Sequence, residues 1–126
     1  IAAFRLFASP ASNGVTIEVR ERSHRVQALP SSDGIPAVFE GVDLVFLAAP
    51  ANVSRGLVPV LQEEDIPVVD IGGTHANASP MMVPSVSIEP IADFPDTRVM
   101  CSPSAPAVVI ATVLSQLALR GVTQVR

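Results

Sequence analysis

Hydrophobic and polar positions along the chain fall into short blocks with two different periods. Val15-Thr16-Ile17-Glu18-Val19-Arg20 alternates strictly, which predicts a strand with one buried face and one wet face. Val42–Ala49 runs apolar almost without a break. That pattern predicts a strand buried on both faces, as in a parallel sheet. Ile66–Ile71 is a second run of this kind, ended by Gly72-Gly73, and Thr97–Ser102 is a third. Between the first two runs, Asn52–Gln62 repeats at helical spacing. Val53, Leu57, Val60 and Leu61 share one face, Asn52 suits the N-cap, and Pro59 is expected to kink or shorten the helix. A longer helix opens at Ser104 or Ala105 and is supported by Pro106. Its apolar stripe over Val108–Leu119 reads as helix core, and Gly121 stops it after Arg120.

The remaining segments are shorter. Ala3–Ala8 reads as a mostly apolar strand, and Ser9–Gly14 as a turn closed by Asn13-Gly14. Glu21–His24 is a polar connection to Arg25–Leu29, the hairpin partner of the alternating strand. Pro30–Glu40 is a loop with at most one helical turn. Thr74–Ile91 is rich in Pro and Ser with room for one short strand, and Val122–Arg126 begins another. This order predicts an α/β fold, a mostly parallel sheet with flanking helices. Ligands of such sheets bind at the carboxyl ends of the strands. The places to look are therefore Ser9–Gly14, Ala48–Ser54, Ile71–His75 and Ser102–Ala105.

Composition narrows the chemistry. A chain of 126 residues, 48% hydrophobic, fits one domain or part of one with a real core. No apolar run approaches the roughly 20 residues needed to cross a bilayer. No cationic start followed by an apolar stretch suggests a secretory signal, and Ile1 in place of Met suggests processing or truncation. The net charge is −4, and all eight basic residues are arginine. Scattered arginines on an acidic chain leave no footprint for nucleic acid. The absence of lysine removes Schiff-base and P-loop chemistry. One cysteine, Cys101, excludes an internal disulfide and fits a reducing cytoplasm.

Five segments in one order resemble the aspartate-semialdehyde dehydrogenase family: Phe4–Ser9, Gly41–Phe46, Val68-Val69-Asp70, Met82-Val83-Pro84 and Cys101-Ser102-Pro103-Ser104. The resemblance covers almost the whole chain. It implies a Rossmann-like NAD(P)-binding domain that starts at its second strand. The Gly-rich turn for the pyrophosphate would lie upstream of Ile1, and the second domain, which binds substrate and forms the homodimer, downstream of Arg126. It implies NADP as cofactor, an amino-acid biosynthetic setting, and cofactor contacts at Ser9, Ser12, Ala48, Ala49, Gly72 and Gly73. A sheet lacking its first strand would have an exposed edge, so this segment alone is expected to dimerise or aggregate.

The departures from the family pattern lie in the site. The family carries a nucleophilic Cys at a helix N-terminus, where the dipole lowers a thiol's pKa and backbone N–H groups face the developing oxyanion. Here that position is Ala105, and a methyl group forms no thioester. Cys101, four residues upstream, reads as a buried structural thiol. Ser102 and Ser104 have no base near them in sequence. The family's Arg for the 2′-phosphate is Ala11 here, and Arg5 on the strand is a poor substitute. The Asn and Arg that the family places after Asp70 are absent, and Gly72-Gly73 reads foremost as a turn.

Other polar residues read as structural. His24 is a solvated turn residue, while His75 at a strand end is better placed for a ligand. Asp43 and Asp70 tie loops, and Glu63-Glu64-Asp65 is solvated surface. His and Cys show no metal-ligand spacing. The favoured expectation is a non-catalytic homologue of the family. A fragment of an active or divergent NADP-dependent dehydrogenase of the family and a non-enzymatic interaction domain on the same scaffold stay open.

Overall fold

The computed structural model describes residues 4–30, 35–81, 83, 86, 98–121 and 123–124. It divides into two compact units, Ile1–Glu40 and Gly41–Arg126.

In the first unit, β1 (Leu6–Ala8), β2 (Thr16–Val19) and β3 (Arg22–Ala28) form a sheet in the order β1-β3-β2. β1 and β3 run parallel, and β2 and β3 antiparallel. The hairpin turn is Arg20-Glu21, both at positive φ (47° and 63°). Two left-handed residues match the twist of the flanking strands. The expected polar connection Glu21–His24 is therefore mostly strand, and His24 is not a solvated turn residue. It lies in β3 with its ring edge-on to Phe4, centroids 5.3 Å apart. The expectation of a buried face on β2 also fails. Ile17 and Val19 remain 45% and 40% exposed, because nothing among the described residues covers that face. A 3-10 turn, Pro10–Ser12, follows β1, and Gly14 at φ 83° closes it by donating its N–H to the Val26 carbonyl. Asn13 Oδ1 accepts the Ala28 N–H at 3.1 Å. The short helix α1 (Ile35–Val38) is the single turn foreseen, and Phe39 behind it packs on Phe7.

The second unit carries a parallel sheet of β4 (Val45–Leu47), β5 (Val68–Asp70) and β6 (Val99–Cys101) in chain order. α2 (Ala51–Glu63) connects the first two strands, and α3 (Ala105–Leu119) follows the third. Register places Val45, Val68 and Val99 in one row and Leu47, Asp70 and Cys101 in another at the carboxyl ends. Val68, Val99, Leu47, Asp70 and Cys101 are all buried. The intervening row is more open, and Phe46 is 59% exposed, so β4 is not buried on both faces as its apolar run predicted. Its alternation is real; apolar residues on both faces hid it.

α2 begins after Pro50, so Asn52 lies inside the helix rather than at its cap. Pro50 and Ala51 can start a helix because the first N–H groups have no intrahelical acceptor. The helix continues through Pro59 to Glu63, with Ser54, Leu57, Val58 and Leu61 buried. Past it, Asp65 and Arg98, each at positive φ, form a two-pronged ion pair (2.8 and 3.1 Å) at the amino ends of β5 and β6. Asp65 is thus paired surface rather than merely solvated.

α3 starts at Ala105 after Ser104 and ends before Gly121 (φ 84°), as its sequence predicts. The expectation that its apolar stripe forms core is not met. None of its side chains is buried, and Val109, Ile110, Val113 and Leu119 are 53–77% exposed. A helix apolar on all sides needs packing on all sides, and the described residues do not supply it. Met81 bridges in parallel to Cys101, the one trace of the short strand expected in Thr74–Ile91. Met82, Pro84 and most of 85–97 lie outside the described residues, as do Val122, Val125 and Arg126.

Candidate functional site

The carboxyl ends of β4, β5 and β6 converge on Asp70. The β4–α2 turn (Ala48-Ala49-Pro50) approaches the turn after β5 so closely that a Cβ on Gly72 would sit 3.3 Å from the Ala49 carbonyl oxygen and 3.4 Å from Asp70 Oδ1. Gly72 is therefore small because backbone lies against it. Gly73 has a different reason: its φ is 70°, with open space around it. Ser54 Oγ, itself buried, donates to the Ala49 carbonyl at 3.3 Å and pins the first turn to α2. Ala48, Ala49, Gly72 and Gly73 are thus brought to one edge of the sheet.

Asp70 is fully buried and is satisfied from one side. Its Oδ2 accepts the His75 backbone N–H and meets His75 Nδ1, both at 3.0 Å. Burial pushes this carboxyl up, but the hydrogen bonds from the His75 ring and backbone N–H outweigh it and hold Asp70 below the usual carboxylate range. An ionised carboxylate only accepts, so the Nδ1 that faces Oδ2 carries a proton. Asp70 Oδ1 has no hydrogen-bond partner among the described residues. The prediction that Asp70 ties a loop holds; that loop is Gly72–His75.

Cys101 lies behind this pair. It is 1% exposed, and its thiol points to Asp70 Oδ2 at 3.9 Å. Burial and the Asp70 charge push it above the usual thiol range, against weaker help from Ser79 and the His75 N–H. A sealed, protonated thiol is inert, as its sequence context suggested. Ala105 is the first residue of α3 and exposed. Ser104 precedes it without a side-chain capping bond, and Ser102 Oγ reaches only the Pro103 carbonyl at 3.5 Å.

Ser9 and Ser12 belong to the first unit, Ser9 just before the 3-10 turn after β1 and Ser12 as its last residue, Ser9 exposed and Ser12 half-buried. Arg5 donates to the Val38 and Glu40 carbonyls (3.0 and 3.2 Å), so it is not free for a phosphate. A different guanidinium stands at this turn: Arg25 Nη2 lies 3.5 Å from where a Gly14 Cβ would be. Neither Arg25 nor the Asp70–His75 pairing was foreseen as part of a site. Only the pairing left a trace in sequence, a carboxylate at a strand end with a histidine five residues on, past two glycines. Among the described residues no cluster of His, Cys, Asp and Glu could hold a metal ion, and no helix is long and apolar enough to cross a membrane.

Comparison with known proteins gives this geometry its context. The chain is 25% identical to aspartate-semialdehyde dehydrogenase of Rickettsia bellii, over 87% of its own length and 32% of the relative's. It is 22% identical to that of Aquifex aeolicus, over 89% and 32%. Among solved structures it is similar to a probable aspartate-semialdehyde dehydrogenase from Pseudomonas aeruginosa (31% identity, TM-score 0.74, 91% of this chain and 33% of that one). It also shares the fold of aspartate semialdehyde dehydrogenase II from Vibrio cholerae complexed with ASA (23% identity, TM-score 0.76, 90% and 36%). The chain spans about a third of the length of these relatives. Residues 1–94 match the model of the semialdehyde dehydrogenase NAD-binding domain, and with its parallel α/β sheet the chain belongs to that family, as a nicotinamide-nucleotide-binding domain of Rossmann type.

Proposed function

We propose that this chain is the cofactor-binding part of an aspartate-semialdehyde dehydrogenase-like protein that has lost acyl-enzyme chemistry. One observation carries this: the only thiol is sealed against Asp70, while the helix start, where a nucleophile would meet the dipole and free N–H groups, carries the methyl group of Ala105. The residues present fit a nucleotide. Ala48, Ala49, Gly72 and Gly73 let a flat ligand approach backbone at the strand ends, and the cofactor, when bound, supplies hydride chemistry. In the first unit, Ser9 and Ser12 are the cofactor contacts that the family resemblance implies. NADP is favoured over NAD by Arg25, an exposed guanidinium beside that turn with no ion-pair partner among the described residues. The exposed apolar surface of α3 supports packing against further polypeptide, and we place the working protein in the cytoplasm as a homodimer.

The test is fluorescence titration of the intact protein with NADPH and NADH; this segment, without Trp or Tyr, adds little background. Saturation at about micromolar NADPH, weakened in Arg25→Ala far more for NADPH than for NADH, supports the reading. Silence up to about millimolar concentrations of both overturns the cofactor part. Aldehyde oxidation by the unmodified protein through a covalent thioester overturns the loss of acyl chemistry.

A further inference from the structure

We infer that Asp70 and His75 form a built acceptor for a ligand hydroxyl, with His75 Nε2 receiving the hydrogen bond and Asp70 acting as the positioning residue. The inference rests on the proposed cofactor reading only for the place of the ligand, the strand-end crevice.

Four observations carry it. Asp70 is fully buried, and its two 3.0 Å contacts to His75, one to the backbone and one to Nδ1, fix both the loop and the ring. A ring held through Nδ1 by an ionised carboxylate presents its other nitrogen outward in one tautomer. The imidazole keeps 20% of its surface, and Nε2 has no partner among the described residues. The second unsatisfied atom of the pair, Asp70 Oδ1, is also an acceptor and lies under the Gly72 turn, 3.4 Å from where a Gly72 Cβ would be.

These features select the class of ligand. Nε2, the exposed atom of the pair, calls as an acceptor for a donor, not an anion. The charges agree. Arg98, a cation of this unit, is tied to Asp65 at the amino ends of the strands, and no arginine is bonded to the dyad among the described residues. A hydroxyl meets this requirement from either of two sources, a sugar hydroxyl of the bound nucleotide or the hydroxyl of a small second ligand. The titratable groups facing His75 among the described residues are Asp70 on β5 and Cys101 on β6.

The experiment is nitrogen-15 NMR of the intact protein with labelled histidine. This segment contributes two histidines, and His24 serves as the internal control. The expected result without ligand is the Nδ1–H tautomer at His75. NADH then shifts Nε2 of His75 and leaves His24 unmoved, and His75→Phe weakens NADH about tenfold. If NADH saturates by fluorescence without moving His75 but glycerate, a small hydroxy acid, moves it, the hydroxyl belongs to a second ligand and the inference holds. If NADH saturates and neither probe moves His75, the inference is overturned while the cofactor reading stands. If neither NADPH nor NADH binds, the cofactor reading fails and glycerate alone decides: a His75 shift supports the acceptor site, and no shift overturns it. An Nε2–H tautomer in the free protein also overturns it.

Discussion

Replacing Asp70 by Asn tests the centre of the site with the smallest change of shape. The carboxylate accepts two hydrogen bonds from His75 on one oxygen. Hydrogen bonds to a charged group contribute about 1.5–3 kcal/mol each, against about 0.5–1.5 for neutral pairs. Asparagine can keep both contacts through its carbonyl oxygen, so the loss is the difference, about 1 kcal/mol per bond or about 2 in total. Relief of the desolvation of a buried charge works the other way. The lowered pKa of Asp70 shows that the hydrogen bonds win over burial. A loss of about 2 kcal/mol corresponds to about 5–10 °C in Tm for a chain of this size. The pH dependence follows from the same direction. A carboxyl whose folded pKa lies below its unfolded value, taken as 3.8, stabilises fully above that value and loses the contribution as pH falls through the folded pKa. The gap between wild type and Asp70→Asn is therefore full at pH 7, nearly full at pH 5, and closing below about pH 3.8. Urea unfolding followed by far-UV circular dichroism at each pH measures it; without Trp or Tyr, fluorescence does not serve. A variant as stable as wild type at pH 7, or a gap that widens in acid, refutes the account.

Other consequences are as direct. Gly72→Ala places a Cβ 3.3 Å from the Ala49 carbonyl and is expected to cost about 1 kcal/mol and to weaken NADH binding. Gly73→Ala costs about as much through its φ of 70° and likewise weakens binding, which urea midpoints and titrations of the two variants check. Native Cys101 resists a thiol reagent until the protein unfolds, whereas the new thiol of Ala105→Cys reacts in the native state, and equal labelling rates contradict the burial. Arg98→Ala, which breaks an exposed pair, costs about 0.5 kcal/mol at low salt and less in 1 M salt. Val109→Lys with Val113→Lys on α3 reduces dye binding and self-association of the segment at little cost in stability, as checked by sedimentation.

Much of this protein is legible in its sequence because local rules decide it. The runs at Val68-Val69-Asp70 and Val99-Met100-Cys101, the helix after Ser104 and the stops at Gly73 and Gly121 follow from periodicity and from glycine's freedom at positive φ. The methyl group at Ala105 and the absence of lysine limit the chemistry before any coordinates exist. What the sequence left undecided depended on neighbours distant in the chain. Alternation in Val15–Val19 specifies which residues share a face but not whether anything covers that face, and here nothing among the described residues does. The α3 stripe fails as core for the same reason. Proline at position 59 is tolerated because the helix around it is held by burial of Leu57, Val58 and Leu61, which outweighs one missing hydrogen bond. The pairing of Asp70 with His75 was beyond local rules altogether. It requires the Gly72-Gly73 turn to fold the chain back on itself and a register that sets Asp70 between Leu47 and Cys101, in surroundings dry enough for one carboxylate to orient a ring.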